Sequence, residues 1–570
     1  FLTIGLVIFV IFIFLRNVRA TFIPSLSLPL SLLGTFSIMY LLGYSFDNLS
    51  LMALTLSLGF VVDDAIVALE NIFRHFEMGK DPMQAAFDGS GEVAFTIISM
   101  TLSLSAVFIP VLFMGGVVGR LFNEFSMTIG TAVLVSGAVA LSLIPMLSSR
   151  FMTRNVARDM EQTGADRRGI WKSVVKFYRD TLTWSVHHTW VTFVISAAIV
   201  AAMFWMYSAV PKGFVPNEDQ NRIMINTEAE QGVGFEAMVS RQNALVKIVQ
   251  NEVPELAAFM SRCNSSNSGF MMITLKTKKE RKRGVEEIIA DLRKKLSGTP
   301  GIRVFIQNPP PIQIGARGGK AQYQCTLSCP DTDLLYKFAP AAEAKMNSIP
   351  ELIDISSDLQ ITTPEIDIDI DRDQASKHGI SIDQIENVLY SAYGTRQISS
   401  IFAPDDQYKV LMELEPSKRG TPEALSLLYV RSDSGQLIPL DILVKRKVVA
   451  GPQSVNHTGQ LPSVTFSFNL KPGVALGQAV ESIEKNIIPL FPAGVSGSFQ
   501  GVAQAFQKSM KGMNLLLILT IFIIYMVLGI LYESFIHPLT ILTALPFAGF
   551  GALFALWIFN IDLSIYAFIG

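Results

Sequence analysis

Cysteine is scarce: Cys263, Cys325 and Cys329 are the only three in 570 residues. An odd, unevenly placed set excludes a disulfide framework. Cys325 and Cys329 sit four apart on an expected strand, so ~13 Å separates them and they cannot bond to each other. All three are expected to act as small apolar side chains. Charge is scarce as well, at 16% of residues against ~25% in a typical soluble domain, which excludes a disordered or solvating chain. With 46 basic and 48 acidic residues the net charge is −2, so no bulk attraction to nucleic acid is expected. There is no P-loop, no nucleophile–base signature and no metal-spaced cluster. An enzyme is therefore not expected. The pair His187–His188, at the start of an apolar run, suits an interfacial anchor better than a metal site.

What is abundant is apolar surface. Hydrophobic residues make up 50%, with 39 Phe, and mean hydropathy is +0.39. The charge is segregated. Nearly uncharged runs occupy Phe1–Leu15, Phe22–Leu42, Leu51–Leu69, Val93–Met114, Phe125–Leu147, Trp190–Val210, Leu515–Leu531 and Leu539–Phe559. Most approach the ~20 residues that cross a bilayer as helix. The first run is short and has no initiator Met or basic region before it, so it is expected to be a truncated span rather than a signal peptide. Another apolar segment starts where the chain stops at Gly570. The expectation is an internal fragment of a longer chain.

Arg16 and Arg19 follow the first run, and Arg74 and Lys80 the third. Arg150, Arg154, Arg158, Arg167, Arg168, Lys172, Lys176 and Arg179 follow the fifth. The connections Gly43–Ser50 and Gly115–Glu124 carry only Asp47, Arg120 and Glu124. The positive-inside rule makes the Arg-rich side cytoplasmic and puts Pro211–Lys511 on the opposite, periplasmic side.

That long segment is soluble in character. Strand-like Arg222–Ala229, Phe270–Lys276 and Ile302–Gln307 alternate with helices near Phe235–Gln250 and Val285–Leu296. The order recurs in Gln322–Cys329, a helix near Thr332–Met346, Ile353–Ser357 and Glu365–Asp371. Split, ferredoxin-like βαβ units are expected. Between Ile380 and His457 the rhythm changes: a helix near Ile382–Tyr393, strand Tyr408–Leu414, and a hairpin, Leu428–Arg431 with Leu437–Leu440, turned at Asp433–Ser434–Gly435. This is expected to be an inserted subdomain. The apolar segments also repeat: Pro29–Phe36 is similar to Pro546–Leu553, and Leu49-Ser50-Leu51 to Leu563-Ser564-Ile565. Duplicated halves are a common plan of secondary transporters.

Asp63 and Asp64 lie side by side well inside the third run. An ionised Asp at that depth costs at least ~2.5–3.5 kcal/mol. Such a pair must face a protein interior and suits the loading and release of protons or Na⁺. Glu70 lies near the cytoplasmic boundary, where a packing or solvated role suffices. In the next run Thr96, Ser99 and Ser103 share one helical face; they could line a hydrated path to the pair or hydrogen-bond neighbouring helices.

Phe14-Leu15-Arg16-Asn17-x-Arg19-Ala20-Thr21-x-Ile23-Pro24 and Gly59-Phe-Val-Val-Asp63-Asp64-Ala65-Ile66-Val67-x-x-Glu70-Asn71 resemble the resistance–nodulation–division (RND) efflux pumps. So do Ser105–Pro110 with Met114-Gly115-Gly116, Pro216-x-Glu218-Asp219-Gln220, Gly435–Leu440 and Tyr532-Glu533-Ser534. The resemblance runs the length of the chain and is nearest the hydrophobe/amphiphile exporters of the AcrB and MdtB/MdtC kind.

The resemblance implies an α-helical polytopic membrane domain plus an α+β periplasmic porter and a docking subdomain. Spans two to six would occupy 1–149, a cytoplasmic amphipathic linker 150–187 and span seven 188–210. Porter subdomains would fill 211–379, docking 380–460, a return to the porter 461–511, and spans eight, nine and the start of ten 512–570. It implies an inner-membrane antiporter with Asp63 and Asp64 as the proton relay and protons as the coupling ion, without another cofactor. Its partners would be amphiphilic small molecules, the lipid bilayer, a homotrimer or a heterotrimer with a paralogous subunit, a periplasmic adaptor and an outer-membrane channel. The relay Lys and first periplasmic loop would lie outside this chain. Phe259, Met260, Phe270 and Met272 would flank the family's switch loop, here a shorter, polar Met260–Gly269 with Ser261, Asn264, Ser265, Ser266 and Asn267. Phe305 and Gln307 would fall at its entrance pocket. Two other readings are a related soft-metal exporter using Met260, Met271 and Met272, whose last two should point to opposite strand faces, and an RND-like export accessory or sensor.

Overall fold

The computed structural model describes residues 2–15, 18–151, 170–264, 267–312, 314–315, 319–415, 418 and 421–569. Phe1, Arg16, Asn17, Arg154, Arg158, Arg167, Arg168, Ser265, Ser266 and Gly570, used above, lie outside them, as does the stretch 152–169 of the expected linker 150–187.

Every apolar run forms helix. The first part of the chain gives α1 (Leu2–Leu15), α2 (Val18–Leu41), α3 (Asn48–Glu77), α4 (Pro82–Val107), the short α5 (Ile109–Leu112) and α6 (Gly116–Phe151). Then come α7 (Ile170–His187) and α8 (Thr189–Ala209). Seven helices among the described residues are long and apolar enough to cross a bilayer: those containing Ala20–Leu41, Asn48–Glu77, Pro82–Leu112, Gly116–Phe151, Thr189–Ala209, Gly501–Leu531 and Ile536–Ile558. The expected connection Gly115–Glu124 is a difference. Helix α6 starts at Gly116, so Arg120 and Glu124 ride on its first turns.

Helix α6 packs against α2, α3 and α4. Helices in lipid associate through close packing rather than a hydrophobic drive, and glycines permit that here. A Cβ on Gly89 of α4 would lie 2.6 Å from Ile72 Cα of α3, and one on Gly34 of α2 would lie 2.7 Å from Val135 of α6. Ile23, Ala65, Ala68, Leu69, Ile72, Ala86, Ile97, Ala140 and Ile144 fill the seam between these helices.

The α+β region holds two units of one topology. In the first, β1 (Arg222–Ala229), α9 (Phe235–Glu252), β2 (Leu256–Cys263), β3 (Ser268–Leu275), α10 (Val285–Leu296) and β4 (Ile302–Gln307) give a sheet of order β2-β3-β1-β4. All its pairings are antiparallel. Strand alternation sends Ile223, Ile225, Met271 and Ile273 into a core with Met238, Leu245, Ile288 and Leu292 from the two helices.

The second unit uses β5 (Tyr323–Ser328), α11 (Thr332–Asn347), β6 (Leu352–Ser357) and then, much later, β14 (Leu461–Leu470), α15 (Leu476–Asn486) and β15 (Ser496–Gln500). Strand β14 pairs with β6 and β5, and β5 with β15. The order β6-β14-β5-β15 repeats that of the first unit. Cys325 stands between Phe466 and Phe499 in adjacent strands. It and Cys329 are buried, and all three cysteines are free. Cys263 is half-buried.

Between β6 and β14 lies the insertion: β7 (Thr363–Ile370), α12 (Arg372–Lys377), α13 (Ile382–Tyr393), β8 (Arg396–Phe402), β9 (Gln407–Met412), β10 (Tyr429–Arg431), β11 (Leu437–Pro439), α14 (Leu440–Leu443), β12 (Val444–Gly451) and β13 (His457–Thr458). The β10–β11 hairpin forms as expected. Strand β7 does not continue the sheet of the second unit, as the expected recurrence had it. It pairs along its length with β12 in a separate two-stranded ribbon. The alternating Ile366-Asp367-Ile368-Asp369-Ile370 marks a strand but does not choose its partner.

After β15 come α16 (Gly501–Leu531), α17 (Ile536–Leu542), α18 (Leu545–Ile558) and α19 (Ile565–Ile569). The repeated motifs fall on matching elements. Pro29–Phe36 lies in α2 and Pro546–Leu553 in α18, while Leu49-Ser50-Leu51 opens α3 and Leu563-Ser564-Ile565 leads into α19. Ser50 N–H donates to Asp47 at 2.6 Å, and Ala567 N–H donates to Ser564 at 3.3 Å. The second unit's core continues into the helices through Phe122, Phe125, Phe214, Phe506 and Ile565.

Candidate functional site

Helix α3 brings the acidic pair into the bundle. Its residues divide into a packed side, with Ala53, Leu58, Val61, Val62, Ala65 and Leu69 buried, and an uncovered stripe including Leu56, Gly59, Asp63, Glu70 and Arg74. The two acids fall on opposite sides of that division: Asp64 is 6% exposed, whereas Asp63 is exposed. The Thr101 hydroxyl of α4 approaches Asp64 Oδ2 at 3.4 Å, and Ser136 of α6 donates to the Val61 carbonyl one turn away at 2.9 Å. Gly137 completes the enclosure. A Cβ there would lie 2.6 Å from Thr101 Oγ1, so only glycine leaves room for the threonine.

Thr96, Ser99 and Ser103 make no hydrogen bond to the pair among the described residues. Thr96 is exposed, and the buried Ser99 and Ser103 hydroxyls have no hydrogen-bond partner among the described residues. Thr101, which does contact the pair, is not on the face shared by Thr96, Ser99 and Ser103. Its signal was available: it is the one hydroxyl on the otherwise apolar stripe Ile97, Leu104, Phe108.

The α+β region assembles a second group. Cross-strand register aligns Met260, Met272, Met224 and Gln307 in one row across β2, β3, β1 and β4. The next row on that face is Arg262, Phe270, Asn226 and Phe305. Five expected pocket residues (Met260, Phe270, Met272, Phe305 and Gln307) therefore share the sheet face turned away from its helices. Phe259 pairs with the core residue Ile273 and lies on the reverse face. The Arg262 guanidinium stands 5.2 Å over Phe270 and that of Arg303 5.8 Å over Phe305, contacts favoured by the ring quadrupole. Met271 is fully buried in the core while Met272 is half-buried on the open face, so the two do point apart. Most of the expected loop Met260–Gly269 is strand: β2 runs to Cys263 and β3 starts at Ser268, leaving a connection of 264–267.

A cleft of about 580 Å³ lies beside this face, bordered by Met224 and Gln307 of the first unit and by Gln322, Gln324, Thr326 and Gln500 of the second. Polar contacts tie the units beside it. Arg293 pairs with Asp354 at 2.7 Å, Asn469 donates to Asp354 at 3.0 Å, and Glu228 receives Lys320 at 2.5 Å and Arg303 at 2.8 Å. Asp354 holds φ +55°, an uncommon backbone for a non-glycine residue.

Elsewhere, Asp219 of the Pro216–Gln220 motif is the anchor of a structural node. It accepts from the buried Arg281, whose guanidinium also donates to Asn221 at 2.9 Å. Burial alone would raise the Asp219 pKa, but Arg281 and the Asn221 and Val285 amides outweigh it and hold the carboxyl below its ordinary range. His187 and His188 are exposed. Their Nδ1 atoms bond the Thr183 and Trp184 carbonyls at 2.7 and 3.0 Å, and His188 stacks on Trp184.

An acidic pair inside an apolar bundle, joined to duplicated βαββαβ units with a large insertion, is the arrangement expected from the resemblance to the RND class. The chain belongs to the AcrB/AcrD/AcrF family, whose pattern it matches over residues 1–570. It is 42% identical over 575 aligned residues to "Multidrug resistance protein MdtC" of Salmonella newport (strain SL254), covering 100% of this chain and 56% of that protein. The same figures hold for the MdtC proteins of Salmonella enteritidis PT4 (strain P125109) and Salmonella typhimurium (strain LT2). The chain thus spans about half the length of the curated relatives it matches.

Proposed function

We propose that the protein containing this chain is a bacterial inner-membrane, proton-driven antiporter that exports hydrophobic and amphiphilic compounds. The observation that carries the reading is the division of Asp63 and Asp64. A buried carboxylate in contact with Thr101 stands beside one on an uncovered helix stripe, deep in an apolar segment where an unpartnered charge is costly. Asp64 holds and yields the proton. Asp63 faces the helices that the rest of the longer protein supplies, among them the span with the relay Lys that family membership leads one to expect.

Transport by alternating access requires that protonation change how helices pack. Asp64 is suited to this because its contacts come from α4 while its neighbour Val61 is held by α6. A neutral Asp64 can sit in the apolar seam, whereas the charged form draws toward polar groups and water.

The duplicated units form the periplasmic porter, and the insertion between β6 and β14 forms the docking part that meets an outer-membrane channel, with a periplasmic adaptor alongside. The subunits act as a trimer of identical or paralogous chains. Substrate lies against the open face with Met224, Met260, Met272 and Phe270, and Phe305 is buried beneath it. Methionine and phenylalanine offer adaptable apolar area, and Gln307 a neutral hydrogen-bonding edge. The first and last thioethers of the methionine row are two strand spacings apart, ~10 Å, which favours an apolar lining over one chelating set for a soft metal ion.

The test is drug and detergent susceptibility, with proton uptake in proteoliposomes, for the full-length protein carrying Asp63→Asn or Asp64→Asn. Both variants are expected to assemble and to lose proton-coupled export. Retained export in both would sink the proposal.

A further inference from the structure

The end of α3 beyond the acidic pair carries a second titratable cluster. His75 lies eleven positions after Asp64, which returns it to the same helical face within ~20° and places it ~16 Å farther along the axis. Its side chain is 6% exposed, yet its partners stand half in solvent. Lys80 Nζ is 2.9 Å from His75 Nδ1 and 2.6 Å from Asp88 Oδ2. Glu92 Oε2 is 3.0 Å from His75 Nε2, off the line of a good hydrogen bond, and 2.6 Å from Arg74. Asn71 donates to the Gly89 carbonyl at 2.7 Å, and the missing side chain of Gly89 lets α4 come close enough for all of this. From α2 and α6, the apolar Ile23, Ala140, Ile144 and Leu147 pack with neighbouring Leu69 and Ile72.

The geometry favours one protonation state. A lysine ammonium has only donors, so the Lys80 contact suits a ring that accepts at Nδ1. A proton arriving at Nδ1 turns that contact into two cations at 2.9 Å. Lys80 must then leave the ring for Asp88 alone, while the imidazolium is drawn to Glu92. Lys80 sits in the turn Met78–Asp81 that joins α3 to α4. Resting on the proton-antiport reading, we propose that His75 is a second proton-exchange site on the Asp63–Asp64 helix, whose protonation unlatches the α3–α4 turn. Histidine is suited to this because it exchanges protons near neutral pH. The latch would let the pH on that side of the membrane bias how α3 and α4 pack.

The experiment is hydrogen–deuterium exchange of the full-length protein in nanodiscs between pH 8 and pH 5.5, corrected for intrinsic rates. Wild type is expected to exchange at least fivefold faster over Met78–Met83 in acid. His75→Gln, which stays neutral and can still accept from Lys80, should remove that step. Lys80→Met keeps the histidine and should exchange fast at both pH values. An acid step that persists in His75→Gln, or none in wild type, overturns the latch. The aspartate variants separate the two readings: export retained in both Asp63→Asn and Asp64→Asn removes the antiport reading while the acid step stands, and a missing step with export lost removes only the latch.

Discussion

The helical bundle and the α+β region surround their key carboxylates differently. Between the two sheet units, charges meet in pairs and networks: Arg293 with Asp354 and Asn469, Glu228 with Lys320 and Arg303. In the bundle, several buried hydroxyls (Ser31, Ser99, Ser103, Ser126, Thr128 and Ser148) have no partner among the described residues, and one buried carboxylate has a single long contact from Thr101. The difference teaches where change is tolerated. Networked carboxylates hold one arrangement of the units, because removing one takes a hydrogen bond from each of its partners. A sparsely bonded carboxylate can alter its protonation without tearing a network apart, which a proton carrier requires.

The comparison can be broken first at Asp64. Asp64→Asn in the full-length protein should reduce export to that of cells without the pump while leaving assembly, read by native gel or light scattering, unchanged. Asp354→Ala should do the reverse. It takes one acceptor from Arg293 and from Asn469, leaving both the Ile306 carbonyl, costs about 1–3 kcal/mol, and lowers the unfolding midpoint of the α+β region more than it lowers the residual transport rate per folded molecule. Gly137→Ala probes the surroundings of the bundle carboxylate: the added methyl must displace Thr101, at about 1–3 kcal/mol of overpacking. Export should fall and its pH profile shift, with Thr101→Val reproducing the profile and Thr101→Ser sparing it.

A smaller effect concerns acid. Arg283 grips Glu255 through two hydrogen bonds, at 2.8 and 2.6 Å, and holds that carboxyl below its ordinary range. A depressed carboxyl stabilises the fold above its unfolded value, about 4.3, and that stability is lost as pH falls through the lower folded value. Hydrogen exchange over residues 253–296 should therefore rise in strong acid, and Arg283→Gln should flatten the rise. The mildest change is Met272→Ala on the open face. It removes about 1 kcal/mol of apolar contact, roughly fivefold in affinity, and should alter susceptibility to bulky amphiphiles with folding intact.

Much of the fold was legible because its signals are local. The apolar runs became helices, and Arg222–Ala229, Val285–Leu296 and Ile302–Gln307 fall where alternation and 3.6-residue periodicity put them. Strand β2 was not seen, because it is largely exposed on both faces and Ala257-Ala258-Phe259-Met260 shows no alternation. Strand β14 escaped for the opposite reason: Val464–Asn469 are all buried, so both faces are covered. The ribbon β7–β12 joins residues far apart in sequence, and partner choice over that distance leaves no local trace. At the site, the acidic pair stood out through the cost of charge in an apolar run. Its division into a buried and an uncovered member, and its contact with Thr101, depend on how three helices cross.

The matching order of the two units has a consequence for how such a protein can be rebuilt. The connection that spans only 264–267 in the first unit occupies the same topological place as the whole insertion in the second. Neighbouring antiparallel strands enter and leave there side by side, so a folded guest whose termini lie close together adds little closure entropy. The first unit thus offers a natural socket, at which a fluorescent or binding domain could be grafted to report the unit's movement, just as the second unit already carries a passenger on its β7–β12 stem.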